Sequence, residues 1–268
     1  MCPAEGFELD DGGFQTPNPV QKHLFRQWQA CWDEHYPRLL DLYKPDTQSL
    51  VLNGDLTEGH AANRPGNPEA LPLVGQHFRA AHELLKSGPL KHGPDFVHLV
   101  RGTEAHVGKA GELEEGLART LKAEGVAMVR DPDTNQVSSY WRRIDIDGVH
   151  IDARHHGRMG QRAHTRGPYS RLYAQDIELE YRLDNQQPPD LALRSHLHKF
   201  MDSGKAHRWT TRVVSLPCFQ AMTSFAHRIA SESLSDIGAV VFVIRDGELL
   251  EPHPILFPYD RPTIVRTA

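Results

Sequence analysis

From Val20 to Leu40 the apolar positions Val20, Leu24, Phe25, Trp28, Cys31, Trp32, Tyr36, Leu39 and Leu40 recur at steps of three and four, the period of an amphipathic helix. The apolar run Ser49-Leu50-Val51-Leu52 then stops at Asn53-Gly54-Asp55, the pattern of a buried strand ending in a tight loop. The alternation continues with a helical pattern over Leu71–Leu85, a second buried strand over Phe96–Val100 that stops at Gly102, and a helix over Glu112–Glu124. Acidic residues open that last helix, where they complement its dipole. Tyr140–Ile146 and Val149–Ala153 flank Asp147-Gly148, a hairpin signature. Pro168–Leu183 reads as a helix. Leu191–Leu193, Arg212–Leu216 and Ile237–Ile244 read as strands, the last turning at Asp246-Gly247. Gly59–Pro72, Asp131–Ser139 and Met159–Pro168 read as loops.

Strands alternating with helices, with hairpins late in the chain, predict an α/β fold with a mixed sheet. With no internal repeat, low-complexity tract or linker, residues 1–268 are expected to form one domain. The 30 Lys+Arg against 35 Asp+Glu leave a net charge of −5, which argues against a broad nucleic-acid platform but leaves room for a local basic groove. The longest apolar run, Ile237–Ile244, is too short to span a bilayer, and Met1-Cys2-Pro3-Ala4-Glu5 lacks the basic and apolar regions of a secretory signal. Cys2, Cys31 and Cys218 form no CxxC pair, as expected in a reducing cytosol. The 17 histidines change the picture, because they make metal ligation the first chemistry to test.

The polar clusters fall where strands stop. Asn53-Gly54-Asp55, Gly102-Thr103-Glu104-Ala105-His106, Arg154-His155-His156-Gly157 and Arg194-Ser195-His196-Leu197-His198 each follow a predicted strand. In α/β sheets ligands gather beyond the carboxyl ends of strands, and Asp, Glu and His are ligands for Zn, Mn or Fe. On an extended segment His196 and His198 would face the same side. Each block alone has an ordinary explanation, as a turn, a buried histidine or a strand edge; their conjunction points to a site.

In this order the four blocks resemble the calcineurin-like metallophosphoesterase superfamily. The nearer likeness is to a phage- and prophage-associated branch, through Gly102-Thr103-Glu104-Ala105-His106-Val107-Gly108 and Arg194-Ser195-His196-Leu197-His198. The likeness runs from the Gln21–Trp32 helix to Ser235-Asp236-Ile237-Gly238. It implies a four-layer αββα sandwich of mixed β-sheets flanked by helices, with or without its first strand. It also implies one or two divalent metals (Mn2+, Zn2+ or Fe2+) and hydrolysis of a phosphomonoester or diester by a metal-activated hydroxide. Asp55 would bridge the metals, His155 and His196 would bind one, and His198 the other. His106 would be the catalytic histidine acting on the leaving group. Glu104 is favoured over Thr103 for a remaining ligand position, and His155 over His156. Arg154 and Arg194, with Arg158 nearby, would contact phosphate or stand as surface arginines.

The superfamily opens with Asp-x-His on its first strand. Here those letters occur only as Asp33-Glu34-His35 inside the helical pattern, where helical geometry sets the two side chains roughly 200° apart. Either that motif lies upstream of Met1 or half of one metal site has been lost. Two further readings stay open. One is a nuclease of the same fold acting on nucleic acid, with Lys199, Lys205, His207, Arg208, Trp209 and Arg212 lining a strand path. The other is a non-catalytic descendant with a residual metal site. The 268-residue chain is expected to bind one metal tightly and a second weakly or not at all. Elemental analysis after Mn or Zn loading and desalting reads this directly, and two tightly held metals per chain would overturn it.

Overall fold

The computed structural model describes residues 6–8, 12–59, 74–158, 160, 162–205, 208–221 and 234–259. Two-residue strands β1 (Phe7–Glu8) and β2 (Phe14–Gln15) pair antiparallel ahead of helix α1 (Pro19–Gln29). Asn18 caps that helix: its Oδ1 accepts the Gln21 N–H at 2.8 Å while its own N–H donates to Gln21 Oε1 at 2.8 Å, and Pro19 takes the first helical position. The helix passes through a π-helical segment, Ala30–His35, into α2 (Tyr36–Tyr43). Asp33-Glu34-His35 therefore lies in helix, as its pattern implies. Asp33 pairs with Lys91, while the His35 ring packs on Phe257 with centroids 5.4 Å apart, so the two side chains do not converge.

The strands then follow their sequence pattern closely. β3 (Ser49–Asn53) precedes helix α3 (Val74–Ser87), so the predicted helix start at Leu71 falls among residues outside the described set. β4 (Phe96–Val100), the single turn α4 (Glu104–Val107), α5 (Glu112–Ala123) and the short β5 (Ser138–Ser139) complete the first half. β6 (Trp141–Ile146) and β7 (Val149–Arg154) form the expected hairpin. Helix α6 (Ala163–Leu183) starts five residues before Pro168 and carries that proline inside it, so the predicted loop over Met159–Pro168 is shorter than its Gly and Pro content implied. β8 (Leu191–Arg194), β9 (Met201–Asp202), β10 (Arg212–Ser215) and β11 (Ile237–Val241) follow. The predicted Ile237–Ile244 strand divides, its tail becoming β12 (Ile244–Arg245) in a hairpin with β13 (Glu248–Leu249). β14 (His253–Phe257) pairs antiparallel with β11 although Pro254 lies within it, a residue tolerated in a strand of a two-stranded sheet.

Side-chain alternation sorts these elements into layers. In the parallel sheet β3-β4-β5, Leu52, Val97 and Leu99 point to Ala81 and Leu85 of α3 and Leu117, Ala118 and Leu121 of α5. On its other face Val51 and Val100 meet Ile144, Ile151, Ala153, Leu193 and Val214 of the five-stranded sheet β6-β7-β8-β10-β9. The far face of that second sheet presents Ala192 and Val213 to Ala174, Ile177 and Tyr181 of α6. The order is helix, sheet, sheet, helix: the αββα sandwich that the resemblance implies, with the first sheet parallel and the second mixed among the described residues. Among the described residues no helix is long and apolar enough to cross a membrane.

Asp152 lies on the α6 face of the second sheet and anchors that layer. It is 1% exposed, accepts Tyr181 Oη–H at 2.6 Å and Trp141 Nε1–H at 2.7 Å, and pairs with buried Arg194 at 2.7 Å. Asp152→Asn leaves the Arg194 charge buried without its partner and should destabilise the fold by about 3 kcal/mol. Urea unfolding measures this, and a change below about 1 kcal/mol would contradict the anchoring role.

Candidate metal centre

Each sheet delivers its parallel strands' carboxyl ends to the same place. β3 runs parallel to β4, and β7 parallel to β8. The two sets of ends are tied across the sheets by Asn53, whose Nδ2 donates to Ser195 Oγ at 2.8 Å and to the Arg154 carbonyl at 3.3 Å. The Ser195 N–H in turn donates to the His155 carbonyl at 2.8 Å. Beyond the strand ends the chain turns sharply: Gly54, Asp55, His196 and His198 have φ of 81°, 56°, 66° and 53°. His196 and His198 are thus not on an extended segment. The expectation that strand alternation aligns them fails, because β8 stops at Arg194 and the left-handed residues re-aim the chain.

Asp55, His155 and His196 come together, with one donor atom from each within 4.8 Å of the others. His155 Nε2 lies 2.9 Å from Asp55 Oδ2. The other ring nitrogen, Nδ1, lies 2.7 Å from the Asn53 carbonyl, which accepts a hydrogen and so fixes the tautomer. With the proton on Nδ1, a neutral His155 turns the lone pair of Nε2 toward the Asp55 carboxylate, and that Nε2 is buried with no hydrogen-bond donor facing it. Two acceptors at this separation call for a proton or a cation between them. One carboxylate with two imidazoles suits Zn, Mn or Fe, so the donor set fits a divalent metal.

Thr103 completes the first ring of contacts. Its N–H donates to Asp55 Oδ1 at 2.6 Å and its hydroxyl to Asp55 Oδ2 at 3.3 Å, with the same hydroxyl 3.2 Å from His196 Nδ1. The approach is close enough to exclude side chains. A Cβ on Gly54 would lie 2.5 Å from His155 Nδ1, and one on Gly102 would overlap the Asp55 carboxylate. Burial pushes the Asp55 carboxyl up, but the hydrogen bond and charge of His155, with His106 and the Thr103 N–H, outweigh it and bring it down to about 2. Burial pushes His155 down, yet Asp55 and the Asn53 carbonyl raise it above the ordinary histidine value. Burial, reinforced by the charges of His155 and His156, takes His196 down to about 4, and burial likewise lowers His198.

The other predicted residues take different places. His198 feels the Asp55 charge but lies outside the three-residue group. His106, on α4, donates from Nδ1 to the Glu58 carbonyl at 2.9 Å, while its own carbonyl accepts the Thr57 hydroxyl at 2.6 Å. Glu104 opens α4 with its side chain exposed, so Thr103 rather than Glu104 touches Asp55. His156 is exposed and stacks near His196, ring centroids 4.7 Å apart. Arg154 and Arg194 turn away: both share the parity of Asp152, and strand alternation sends them to the α6 face. Arg194 is 3% exposed and held by Asp152 and Tyr173, while Arg154 lies over the Trp141 ring at 4.0 Å. Arg158 is exposed.

Sequence reasoning missed Glu114. Its acidic position in the first turn of α5 reads as a partner of the helix dipole, but the side chain is fully buried beneath the site. Oε1 accepts the Leu56 N–H at 2.9 Å and Oε2 the Gly102 N–H at 2.8 Å. Burial raises this carboxyl to about 7 against the pull of the two N–H donors. No sequence signal separates it from its neighbours Glu112 and Glu115.

No protein-family model and no curated protein sequence matches the chain. Among solved structures it is similar to a hypothetical protein of Pyrococcus horikoshii, with a TM-score of 0.44 and 13% identity over 88% of this chain and 84% of the other. A structure described as a novel archaeal phosphodiesterase gives 0.40 and 10% over 84% and 94%. Zinc-complexed Vps29 from Entamoeba histolytica gives 0.37 and 14% over 78% and 99%. Alignments this loose carry no functional weight.

Metal affinity should depend on the His155 proton. Asp55, near 2, and His196, near 4, are already deprotonated at neutral pH, whereas His155 is raised and must lose its proton to ligate. The apparent affinity for Zn2+ or Mn2+ is therefore expected to rise with pH through the ordinary histidine value of 6.5 and to level off only above it. Calorimetric titration on both sides of that value checks it, and an affinity flat with pH would contradict the assignment.

Proposed function

We propose that this chain is a metal-dependent phosphoesterase that hydrolyses a phosphomonoester or diester. The observation that carries the reading is the grouping of the Asp55 carboxylate with the His155 and His196 rings, one donor atom of each lying within 4.8 Å of the others. Asp55, His155 and His196 hold the metal, with His198 as a further ligand, and Mn2+, Zn2+ or Fe2+ suits the set. When bound, the metal supplies Lewis acidity that makes water nucleophilic near neutral pH and offsets charge on the phosphoryl oxygens. Asn53 holds His155 through its carbonyl, and the Thr103 N–H holds Asp55, so the ligands need little reorganisation. The Glu58 carbonyl fixes the His106 ring through Nδ1, and in the imidazolium form Nε2 carries the proton delivered to the leaving oxygen. The order of the four sequence blocks supports the phosphoester class of substrate.

Of the residues expected to line a nucleic-acid path, three are engaged with protein partners. Lys199 pairs with Asp236 at 2.9 Å, Lys205 donates to the Leu249 carbonyl at 2.9 Å, and Arg212 is buried between Asp202 and Glu251. Arg208 is exposed, and His207 lies outside the described residues.

The manganese-loaded full chain should cleave bis-p-nitrophenyl phosphate or p-nitrophenyl phosphate, and chelation should abolish the activity. His106→Asn should lower kcat about 10²- to 10⁴-fold with metal content unchanged. Absence of turnover on both esters by a metal-replete protein would overturn the phosphoester reading. Full kcat in His106→Asn would remove that residue's role.

A further inference from the structure

The two turns that build the site come from different places in the chain, and little in their own sequence holds them together. One, Gly54-Asp55-Leu56, leaves β3; the other, Gly102-Thr103, leaves β4. They leave neighbouring strands paired up to Asn53 and Val100, and beyond that point they touch through Thr103 on Asp55, Gly54 against Gly102, and Gly102 packed on the Asp55 carboxylate with no room for a side chain. Beneath both lies Glu114, a carboxylate with no exposure to solvent. Each of its oxygens takes one backbone N–H, Leu56 immediately after Asp55 and Gly102 immediately before Thr103.

We propose that Glu114 is a positioning residue for the phosphoester site: its carboxylate clamps the Asp55 turn to the Gly102–Thr103 turn and sets the Asp55 oxygens that face His155 and His196. This rests on the metal-site reading above and assigns a role to a side chain outside the ligand set. A buried carboxyl group facing one backbone N–H on each of its two oxygens fixes two peptide planes at a defined separation. Those two planes flank the residues that make the Thr103 N–H to Asp55 Oδ1 contact at 2.6 Å. A helix-dipole role would need only a negative charge in the first turn, which Glu112 and Glu115 also provide. Glu115 is engaged elsewhere, accepting the Ser138 N–H at 2.8 Å and bonding Arg119 at 2.7 Å, and does not substitute for Glu114.

Glu114→Gln keeps the shape but presents an amide NH2 to one of the two N–H groups. Its effect is compared with Asp152→Asn, which disturbs a buried charge on the far face of the second sheet. Glu114→Gln is expected to weaken Zn2+ or Mn2+ binding about 10- to 100-fold in calorimetric titration, whereas Asp152→Asn leaves the affinity within about twofold. Unchanged affinity in Glu114→Gln, or an equal loss in Asp152→Asn, would overturn the proposal. A second measurement needs no metal and so stands apart from the phosphoesterase reading. In metal-free protein, hydrogen exchange of the Thr103 amide, which Glu114 does not touch, should quicken at least tenfold in Glu114→Gln beyond any change in Asp152→Asn. Thr103 protection unchanged while Leu56 and Gly102 lose theirs would show a local bond only and reject the clamp.

Discussion

An imidazole lone pair aimed at a carboxylate is reconciled by a proton or a cation placed between the two, and without a cation the proton sits there. His155 and Asp55 are in that position because the Asn53 carbonyl takes the hydrogen of Nδ1. The backbone of β3 thus dictates which nitrogen of the residue just after β7 faces the site. The sheet-to-sheet packing of Val51 and Val100 against Ile151 and Leu193 holds those strand ends at the distance where this happens. Core packing between the sheets and polarity at their ends are therefore one constraint. A shift of either sheet would separate Asn53 from both His155 and Ser195.

The lone pair also explains the opposed ionisation of the pair. Burial alone would neutralise both groups, raising the acid and lowering the base. Mutual attraction reverses both, so the protein without a cation holds a proton where a cation would sit. His196, lacking a carboxylate partner of its own and surrounded by other imidazoles, stays on the neutral side. In the absence of a cation, the space between His155 and Asp55 thus belongs to a proton.

Much of this was legible in the sequence. Buried parallel strands appear as short apolar runs, and their ends are marked by the residues that stop them, so Asp55, His155 and His196 could be placed together from their positions after such runs. The α/β class follows from the same alternation, while the sandwich order came only with the family resemblance. What escaped did so for identifiable reasons. Arg154 and Arg194 neighbour site residues in sequence, but strand parity sends them to the α6 face, where Asp152 neutralises them. Glu104 is the better ligand by chemistry, yet the helical turn beginning there points it outward and leaves Thr103 on Asp55. Glu114 was hidden because a buried carboxylate and a surface one look alike in a helix's first turn. The basic segment after His198 looked like a surface path because the acids that consume it, Asp202, Asp236 and Glu251, lie up to tens of residues away.

The left-handed backbone at Asp55, His196 and His198 bears on how such a site persists through mutation. Each is a conformation that an L-residue adopts at a cost of about 1–3 kcal/mol and glycine adopts freely. Drift at these positions therefore runs downhill: a glycine arising there relaxes the chain while deleting a donor. A lineage released from selection on the chemistry would shed its donor side chains for small residues and gain stability in doing so. Asp55, His196 and His198 thus carry their donor side chains at a backbone cost that glycine would avoid.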